Sequence, residues 1–559
     1  MKSCLSVARS RHMLLGSVLL LAALLTAGGT PVRAQSKPRP ADSPEQRQLH
    51  QALTLAAHGD EQGAMTAVQR LIKQHPHFAQ AIKLKGMLLE QAGRPAEAAA
   101  AYQAALKFAP NDGDLLLEVG TYRLSTGQNE EALKLLQHCV KVIPRDADAQ
   151  FYLAQAYHLN GHDDLALAAI QQSLKFDPDN TAAWQKYGEL LCGTDHCEDA
   201  LPWLQKAQHK DATLPHIDYD IALTDFKLMD LASAAQYAAR AVESQPSDLP
   251  ALQLLADADT KLAKWQDGKH AWERVLASKP DDLDSLIGLG QCELELKDYP
   301  AAADNLQAAI RLNPTRPLTY FYLSRVYAGM GKTADAEHEA ALHHLMMEQL
   351  TFGRDIENDQ REAPIKAPAS KLLAEHREED ALLLYRNRFH GTPATPADAY
   401  VFIGKLYLFA GDDKDALRSL HHALELQPPV RGAHTYLGIL ALKQGDLAGA
   451  ENDFKAELAN DPNYQLAIAE LGELRYRQGR WSEAAEQLAN SRTMNPELLY
   501  MLSDSYFRTG KISDANLTAE TAAAYGRNNR DFLKQLNDLL LRNGQADLAQ
   551  RLSVNLTQK

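Results

Sequence analysis

The stretch AQAIKLKGMLLEQAGRPAEAAAAYQAALKFAPND, residues 79–112, decides the fold of this chain. Apolar residues in each of its halves recur every three or four positions, a spacing that predicts two amphipathic helices. Between the halves, Gly93 can take a positive φ where the first helix ends, and Pro95 suits the first turn of the second helix. Pro110 cannot continue a helix, so the pair closes there.

The same pattern returns every 34 residues along the chain, as from Gly86 to Gly120. One position holds only glycine, alanine or serine in nine successive repeats: Ala52, Gly86, Gly120, Ala154, Gly188, Ala222, Ala256, Gly290 and Ser324. A second, alanine-rich set includes Ala98. We expect Gly86 to face Ala98 across the helix pair, because two small side chains let the backbones approach closely.

This register resembles the tetratricopeptide repeat (TPR) family, whose unit is a helix–turn–helix of about 34 residues. The resemblance covers most of the chain and implies an all-α, right-handed superhelical solenoid of such repeats. One unit cannot bury its apolar face alone, so stability is expected to come from stacking of neighbours. The family is a scaffold, and membership by itself identifies no partner.

The register also divides the chain. Residues 45–350 hold about nine repeats, and residues 371–559 hold one degenerate repeat followed by about five more. The last helix of the first array is expected to run on through residues 341–350, because Glu348 stands where the repeat has proline. Residues 351–370 are charged and contain prolines, so we interpret them as a loop or hinge.

Four repeats in the middle of the first array lack the glycine of the turn between helices. We expect the turn to differ locally in these repeats, because a side chain disfavours positive φ. The residues in its place are Asp195, Met229, Ala263 and Lys297.

Residues 1–34 have the order of a secretory signal. Basic residues precede an apolar run at residues 13–25, and small residues then lead to Ala34, where we expect cleavage. The run is short for a membrane span, which needs about 20 apolar residues. An uncleaved anchor is the alternative. We expect an exported, soluble mature chain, periplasmic or secreted, with a disordered lead-in at residues 35–44.

The charge of the chain bears on its partners. The formal net charge is −14, and removal of residues 1–34, which carry four basic residues and no acid, leaves −18. A surface this acidic repels phosphate backbones and anionic lipid. Nucleic acid is therefore excluded as the expected partner.

Two of the cysteines are close in sequence. Cys192 and Cys197 bracket the turn of one repeat, where antiparallel helices bring Cα atoms within bonding range. Export favours a disulfide, with free thiols as the main alternative. A metal site with His196 would have only three ligands, so we predict no metal. Cys139 and Cys292 fall within helices and are expected to be buried.

No catalytic motif stands out. His338-Glu339 followed by His343 is similar to a zinc-protease helix, but that motif needs histidines four residues apart, and these are five apart. The sequence also lacks a glycine-rich phosphate loop and a nucleophile elbow. We predict no cofactor and a non-catalytic protein, and an enzyme that uses carboxylates brought together in the groove is an alternative.

In TPR arrays the first helix of each repeat lines a concave groove that holds a peptide or a partner's helix. We therefore predict a protein-interaction scaffold or adaptor that binds a protein or peptide partner there, with a periplasmic scaffold for polysaccharide export as another alternative. Several of the aromatic side chains expected in the groove could instead fill interfaces between repeats. The residues expected there are Phe151, Tyr152, Tyr219, Phe321, Tyr322, Phe402, Tyr436 and Tyr476.

Overall fold

The computed structural model is all-α over the residues that it describes, which are 43–351, 354–389, 395–427 and 429–557. Side chains are described for these residues other than 350–360 and 553–557. The described residues form thirty α-helices, paired in helix–turn–helix repeats, so the predicted all-α repeat fold is confirmed. The expected signal, residues 1–34, lies outside the described part of the chain, as does nearly all of the expected lead-in.

The described residues belong to two compact units, unit 1 up to residue 258 and unit 2 from residue 259. The helices of unit 1 are α1 Pro44–Ala57, α2 Glu61–Gln74, α3 Ala79–Gln91, α4 Pro95–Phe108, α5 Gly113–Ser125, α6 Asn129–Val142, α7 Ala147–Leu159, α8 Asp163–Phe176, α9 Thr181–Gly193, α10 Cys197–Lys210, α11 Ile217–Lys227, α12 Leu231–Ser244 and α13 Leu249–Lys261, whose last residues belong to unit 2.

The helices of unit 2 are α14 Trp265–Ser278, α15 Leu283–Glu295, α16 Tyr299–Leu312, α17 Pro317–Gly329, α18 Thr333–Thr351, α19 Arg354–Ala374, α20 Glu378–Arg388, α21 Pro396–Ala410, α22 Asp413–Leu426, α23 Ala433–Gln444, α24 Leu447–Asn460, α25 Gln465–Arg477, α26 Trp481–Asn490, α27 Pro496–Arg508, α28 Ile512–Tyr525, α29 Arg530–Arg542 and α30 Ala546–Thr557.

Side-chain caps fix the start of the first helix in successive repeats. Asp112, Asp146 and Asn180 occupy the same position in three neighbouring repeats, and each accepts a hydrogen bond from the backbone N–H three residues on, at 3.1, 2.7 and 3.0 Å. Each cap satisfies a donor that the helix itself leaves unpaired. Such a cap stabilises a helix by about 1 kcal/mol.

The small position does not face the residue that we expected. A Cβ added at Gly86 would lie 2.7 Å from the ring of Tyr102, and the nearest atoms all belong to that ring rather than to Ala98. Ala98 is itself fully buried in the same core. Glycine is therefore required at position 86 because a large ring, not a small side chain, packs against its backbone.

The turns that lack glycine keep the conformation of those that have it. The φ angle is +64° at Asp195, +65° at Met229, +57° at Ala263 and +64° at Lys297. At Gly127, in a repeat with the consensus turn, φ is +75°. The expectation that these turns differ was therefore wrong, and stacking of the flanking helices holds four side-chain-bearing residues in the left-handed region.

The expected loop at residues 351–370 is largely helical, because α19 spans Arg354–Ala374. Ile365, Ala369 and Leu373 recur at helical spacing on one face, and all three are buried in the core that continues through α21. Pro364 and Pro368 lie on the exposed face. Burial of that apolar face offsets an interior proline cost of about 3 kcal/mol each.

Helix α18 runs through residues 341–350 as predicted and ends at Thr351. The following pair, α19 and α20, forms the degenerate repeat expected after residue 371, although it begins earlier. Helices α18 and α19 are the two longest described helices, and both are rich in polar residues. Over the part of the chain that the structure describes, no helix has the length and apolar character needed to cross a membrane.

Candidate functional site

The first helices of successive repeats in unit 1 share one face. α5 contacts α7, and α9 contacts α11, without a second helix between them. Side chains also join neighbouring first helices. His158 on α7 lies 3.8 Å from Glu189 on α9, and Gln185 on α9 donates to Asp220 on α11 at 2.6 Å. We call this surface the first-helix face of unit 1 and define it by Glu118, Phe151, Tyr152, Glu189, Tyr219 and Asp220.

Carboxyl groups on this face are held in an environment that disfavours their charge. Burial, and then the charge of Glu189, raise the pKa of Asp220 to about 7. Burial likewise raises the pKa of Glu118, against the opposing effect of Lys83. A cation that approaches such a half-buried carboxyl stabilises its charged form, because the attraction between the two charges compensates for the water that the carboxylate has lost.

Three of the aromatic residues expected in a groove lie beside these carboxyls. Phe151 and Tyr152 pack edge to face on α7 with ring centroids 5.2 Å apart, and both are half-buried. Tyr219 is also half-buried, and burial followed by the charge of Asp220 raises its pKa. The tyrosine hydroxyl therefore stays protonated at neutral pH and is a hydrogen-bond donor on this face.

In unit 2 the expected aromatics divide between two roles. Phe321 remains 39% exposed on α17, where its ring lies 5.3 Å from Tyr322 and 5.5 Å from His343. Tyr322 itself packs against two apolar clusters that include residues of the preceding repeat. Tyr476 donates to the carboxylate of Asp504 at 2.8 Å and so joins neighbouring repeats.

Two expected groove residues belong instead to the core. Phe402 is 1% exposed and Tyr436 is 7% exposed, and both lie in the apolar cluster that spans α19 to α23. Neither can line an open groove, which corrects the prediction for these positions. The sequence of α21, PADAYVFIGKLYLFA, is apolar nearly all round, so its periodicity does not single out an exposed face.

The paired cysteines lie where the sequence places them, at the turn between α9 and α10. Their sulfur atoms are 2.00 Å apart, which is bonding distance, and both side chains are buried. The carbonyl of Cys192 also accepts a hydrogen bond from Lys227 on α11 at 2.8 Å. Cys139 and Cys292 are buried, as expected.

The histidines that are similar to a zinc-protease helix contact different elements. His338 lies 2.9 Å from a carboxylate oxygen of Glu520, whereas a ring nitrogen of His343 lies 3.0 Å from the carbonyl of Pro317. Within the described residues, no group of three or more histidine, cysteine or acidic side chains could hold a metal ion.

Unit 2 contains a cavity that sequence reasoning did not find. It has a volume of about 330 Å³ and lies between α16, α17 and α18 on one side and α28 and α30 on the other. His338 and Arg551 meet across it at the two oxygens of Glu520, at 2.9 and 3.1 Å. The repeat pattern predicts contacts between neighbouring repeats only. It therefore could not predict a contact between residues 182 positions apart.

Comparison with known proteins places the repeats in a family. Two family models, each described as tetratricopeptide repeat, match this chain, and the matched segments together take in more than half of it. The first model matches residues 49–113, 254–317, 403–465 and 469–530. The second matches residues 123–186.

Individual relatives resemble only part of the chain. The type IV pilus assembly protein PilF of Pseudomonas aeruginosa is 30% identical over 102 residues, which are 18% of this chain and 40% of the relative. DnaJ homolog subfamily C member 3 of Rattus norvegicus is 38% identical over 93 residues, 17% of this chain and 18% of the relative. A solved structure of PilF from P. aeruginosa aligns with a TM-score of 0.35 and 20% identity over 38% of this chain and 96% of that one. The chain thus matches less than half the length of the two sequence relatives.

Proposed function

Because this chain belongs to the tetratricopeptide repeat family, a family of protein–protein interaction scaffolds, we propose that it is an exported, non-catalytic scaffold. The proposed partner is a protein with an extended, positively charged segment, which binds along the first-helix face of unit 1. Such a face is continuous from repeat to repeat and so suits a chain that lies across several helices.

The observation that carries this proposal is the environment of Asp220. Its carboxyl is half-buried on the first-helix face beside Glu189. It accepts a hydrogen bond from the neutral amide of Gln185, and the nearby positive charge of Lys186 only partly offsets its burial. A lysine or arginine of the partner would supply further positive charge, and the charged form of Asp220 would then be favoured. Phe151 and Tyr152 would contact the apolar parts of the same segment.

The test uses the full chain and a matched pair of variants. A partner captured from an envelope extract is identified by mass spectrometry, purified, and titrated calorimetrically against each form. Asp220→Asn should weaken binding about tenfold, corresponding to roughly 1.4 kcal/mol. Glu130→Gln removes the same charge from an exposed position on α6 and should leave affinity unchanged.

The proposal requires that the affinity fall as salt is raised, since charge attraction contributes to it. Equal affinities of the wild type and Asp220→Asn would show that the partner binds elsewhere. Unchanged binding in 0.5 M salt would remove the argument for a basic segment.

Export rests on the order of residues 1–34. N-terminal sequencing of the protein isolated from its own cells should begin at Gln35, directly after the expected cleavage site. Recovery of a chain that begins at Met1, together with cytoplasmic marker enzymes, would contradict export.

A further inference from the structure

Unit 2 closes on itself through a contact between helices far apart in sequence. α18 packs against α28, and the apolar part of this contact joins Tyr320, Leu342 and Met346 to Ala524. The guanidinium of Arg527, just beyond α28, donates to the backbone carbonyl of Leu312 at the end of α16. These contacts bring the last described repeats of unit 2 onto repeats that precede α19.

The polar part of the contact centres on one carboxylate. Glu520 on α28 accepts from His338 on α18 through one oxygen, at 2.9 Å, and from Arg551 on α30 through the other, at 3.1 Å. The side chain of Glu520 is mostly buried, so both of its partners act in a partly dehydrated setting. His338 is the one partner in this set whose charge changes near neutral pH.

Beside His338 lies a carboxyl group that has no comparable partner. One oxygen of Glu339 is shielded from solvent and accepts no hydrogen bond. A proton on this carboxyl removes the cost of burying its charge, whereas ionisation imposes that cost. The charged and titratable groups around His338 and Glu339 are Arg311 on α16, Tyr320 and Tyr327 on α17, Asp335 on α18, Glu520 on α28 and Arg551 on α30.

We propose that this contact is a pH-dependent clasp, closed at mildly acidic pH and weakened as the pH rises through neutrality. His338 and Glu339 both favour the closed form when they are protonated. Protonated His338 is positively charged and attracts the carboxylate of Glu520, and protonated Glu339 no longer carries a buried charge. Opening separates α28 and α30 from α16–α18 and exposes Tyr320, Leu342 and Met346 to water.

Both pKa changes have the direction that a clasp stabilised by protonation requires. The hydrogen bond to Glu520 raises the pKa of His338 above its ordinary value near 6.5. Burial raises the pKa of Glu339 from 4.5 to about 7. Each raised pKa contributes stability that is complete below the group's ordinary pKa and is lost as the pH rises through its value in the closed form. The clasp therefore takes up protons on closing. Its stability falls as the pH rises from 4.5 through about 7 for the Glu339 contribution, and the His338 contribution is lost above pH 6.5.

The experiment measures the distance across the clasp by pulsed electron paramagnetic resonance on the full chain. Spin labels are attached to cysteines that replace the exposed residues His344 on α18 and Asn528 after α28. The three cysteines outside the disulfide, Cys139 and Cys292 together with Cys4 of the undescribed N-terminal segment, are replaced by alanine in this background. At pH 6.0 we expect one narrow distance, and at pH 8.5 we expect at least half of the molecules to show a longer, broader distribution.

Variants identify the groups responsible. Glu339→Gln, which stays neutral, should restore the narrow distance at pH 8.5, and His338→Gln should weaken it at pH 6.0. His434→Gln is the matched control, because His434 pairs with Asp453 at 3.0 Å within one repeat and lies outside the clasp. It should leave both distributions unchanged.

Two results would overturn the proposal. One is a distance distribution that is the same at pH 6.0 and pH 8.5 in the labelled wild type. The other is a pH dependence that survives in the double variant His338→Gln/Glu339→Gln, which would assign the titration to other groups. No partner is present in this experiment, so its outcome is independent of the binding proposed for unit 1.

Discussion

The turn between helices permits a reciprocal test of backbone strain. Gly127 and Ala263 occupy the same position in two repeats, with φ of +75° and +57°. The hydrogen bonds also match: the N–H of each residue donates to the carbonyl three residues back at 3.1 Å, and the next N–H donates five residues back at 2.9 Å. Gly127→Ala and Ala263→Gly therefore exchange the side chain in nearly identical turns.

The expected magnitude follows from two opposing terms. Positive φ costs a residue with a side chain about 1–2 kcal/mol. Glycine in its place loses about 0.4–1 kcal/mol through the greater entropy of the unfolded chain. Gly127→Ala should thus destabilise its repeat by about 1 kcal/mol, and Ala263→Gly should stabilise its own by a similar amount. A methyl group at Gly127 would meet no atom within 4 Å, so packing does not enter.

Hydrogen exchange followed by mass spectrometry is the suitable assay, because a repeat array does not unfold in a single two-state step. Exchange in the helices that flank each turn should be about fivefold faster in Gly127→Ala and about fivefold slower in Ala263→Gly, as about 1 kcal/mol requires. A change of the same sign in both variants would refute the reasoning. Unchanged exchange in Gly127→Ala would show that the turn relaxes to a different conformation.

Three further perturbations test the packing, the cysteine pair and a buried ion pair. Gly86→Ala places a methyl group against the tyrosine ring that covers this glycine and should lower the free energy of unfolding of its repeat by about 1–3 kcal/mol, measured by hydrogen exchange. Cys197→Ser should lower the stability of its helix pair by about 2 kcal/mol. If hydrogen exchange of the wild type is the same with and without reductant, no disulfide forms. Arg475, 4% exposed, donates twice to Glu451, at 2.6 and 2.7 Å. Glu451→Gln should therefore cost about 2–3 kcal/mol in local stability, measured by hydrogen exchange of the helices around this pair. The hydrogen bonds of Arg475 lower the pKa of Glu451, so this stability is present above about pH 4.5 and is lost as the pH falls, which acid unfolding of the wild type and variant should reveal.

The sequence predicted what local repetition determines. The helix pairs follow from the constant repeat period, and the structure confirms them. The predicted backbone conformation was wrong where the stacking of helices outweighs the conformational preference of a single residue. Ala263 keeps positive φ, and Pro364 lies within a helix, because burial on flanking faces exceeds the local cost.

The candidate site was less predictable than the fold. Aromatic residues at equivalent repeat positions have different surroundings: Tyr152 is half-buried on the first-helix face, whereas Phe402 is in the core. The difference depends on the residues of neighbouring helices, which a pattern within one helix does not contain. The partnership of His338 with Glu520 depends on the path of several repeats together and is invisible to any window of sequence.

The clasp also has a consequence for the order of folding. Stacked repeats meet neighbours that are one repeat length away in sequence, whereas His338 and Glu520 are separated by several repeats. Closing the longer loop costs roughly 1.5 kcal/mol more in chain entropy. The clasp should therefore form last, after the intervening helices have stacked, and folding of unit 2 should end in a slow phase. A chain that stops before residue 512 would lack that phase while its earlier repeats still fold.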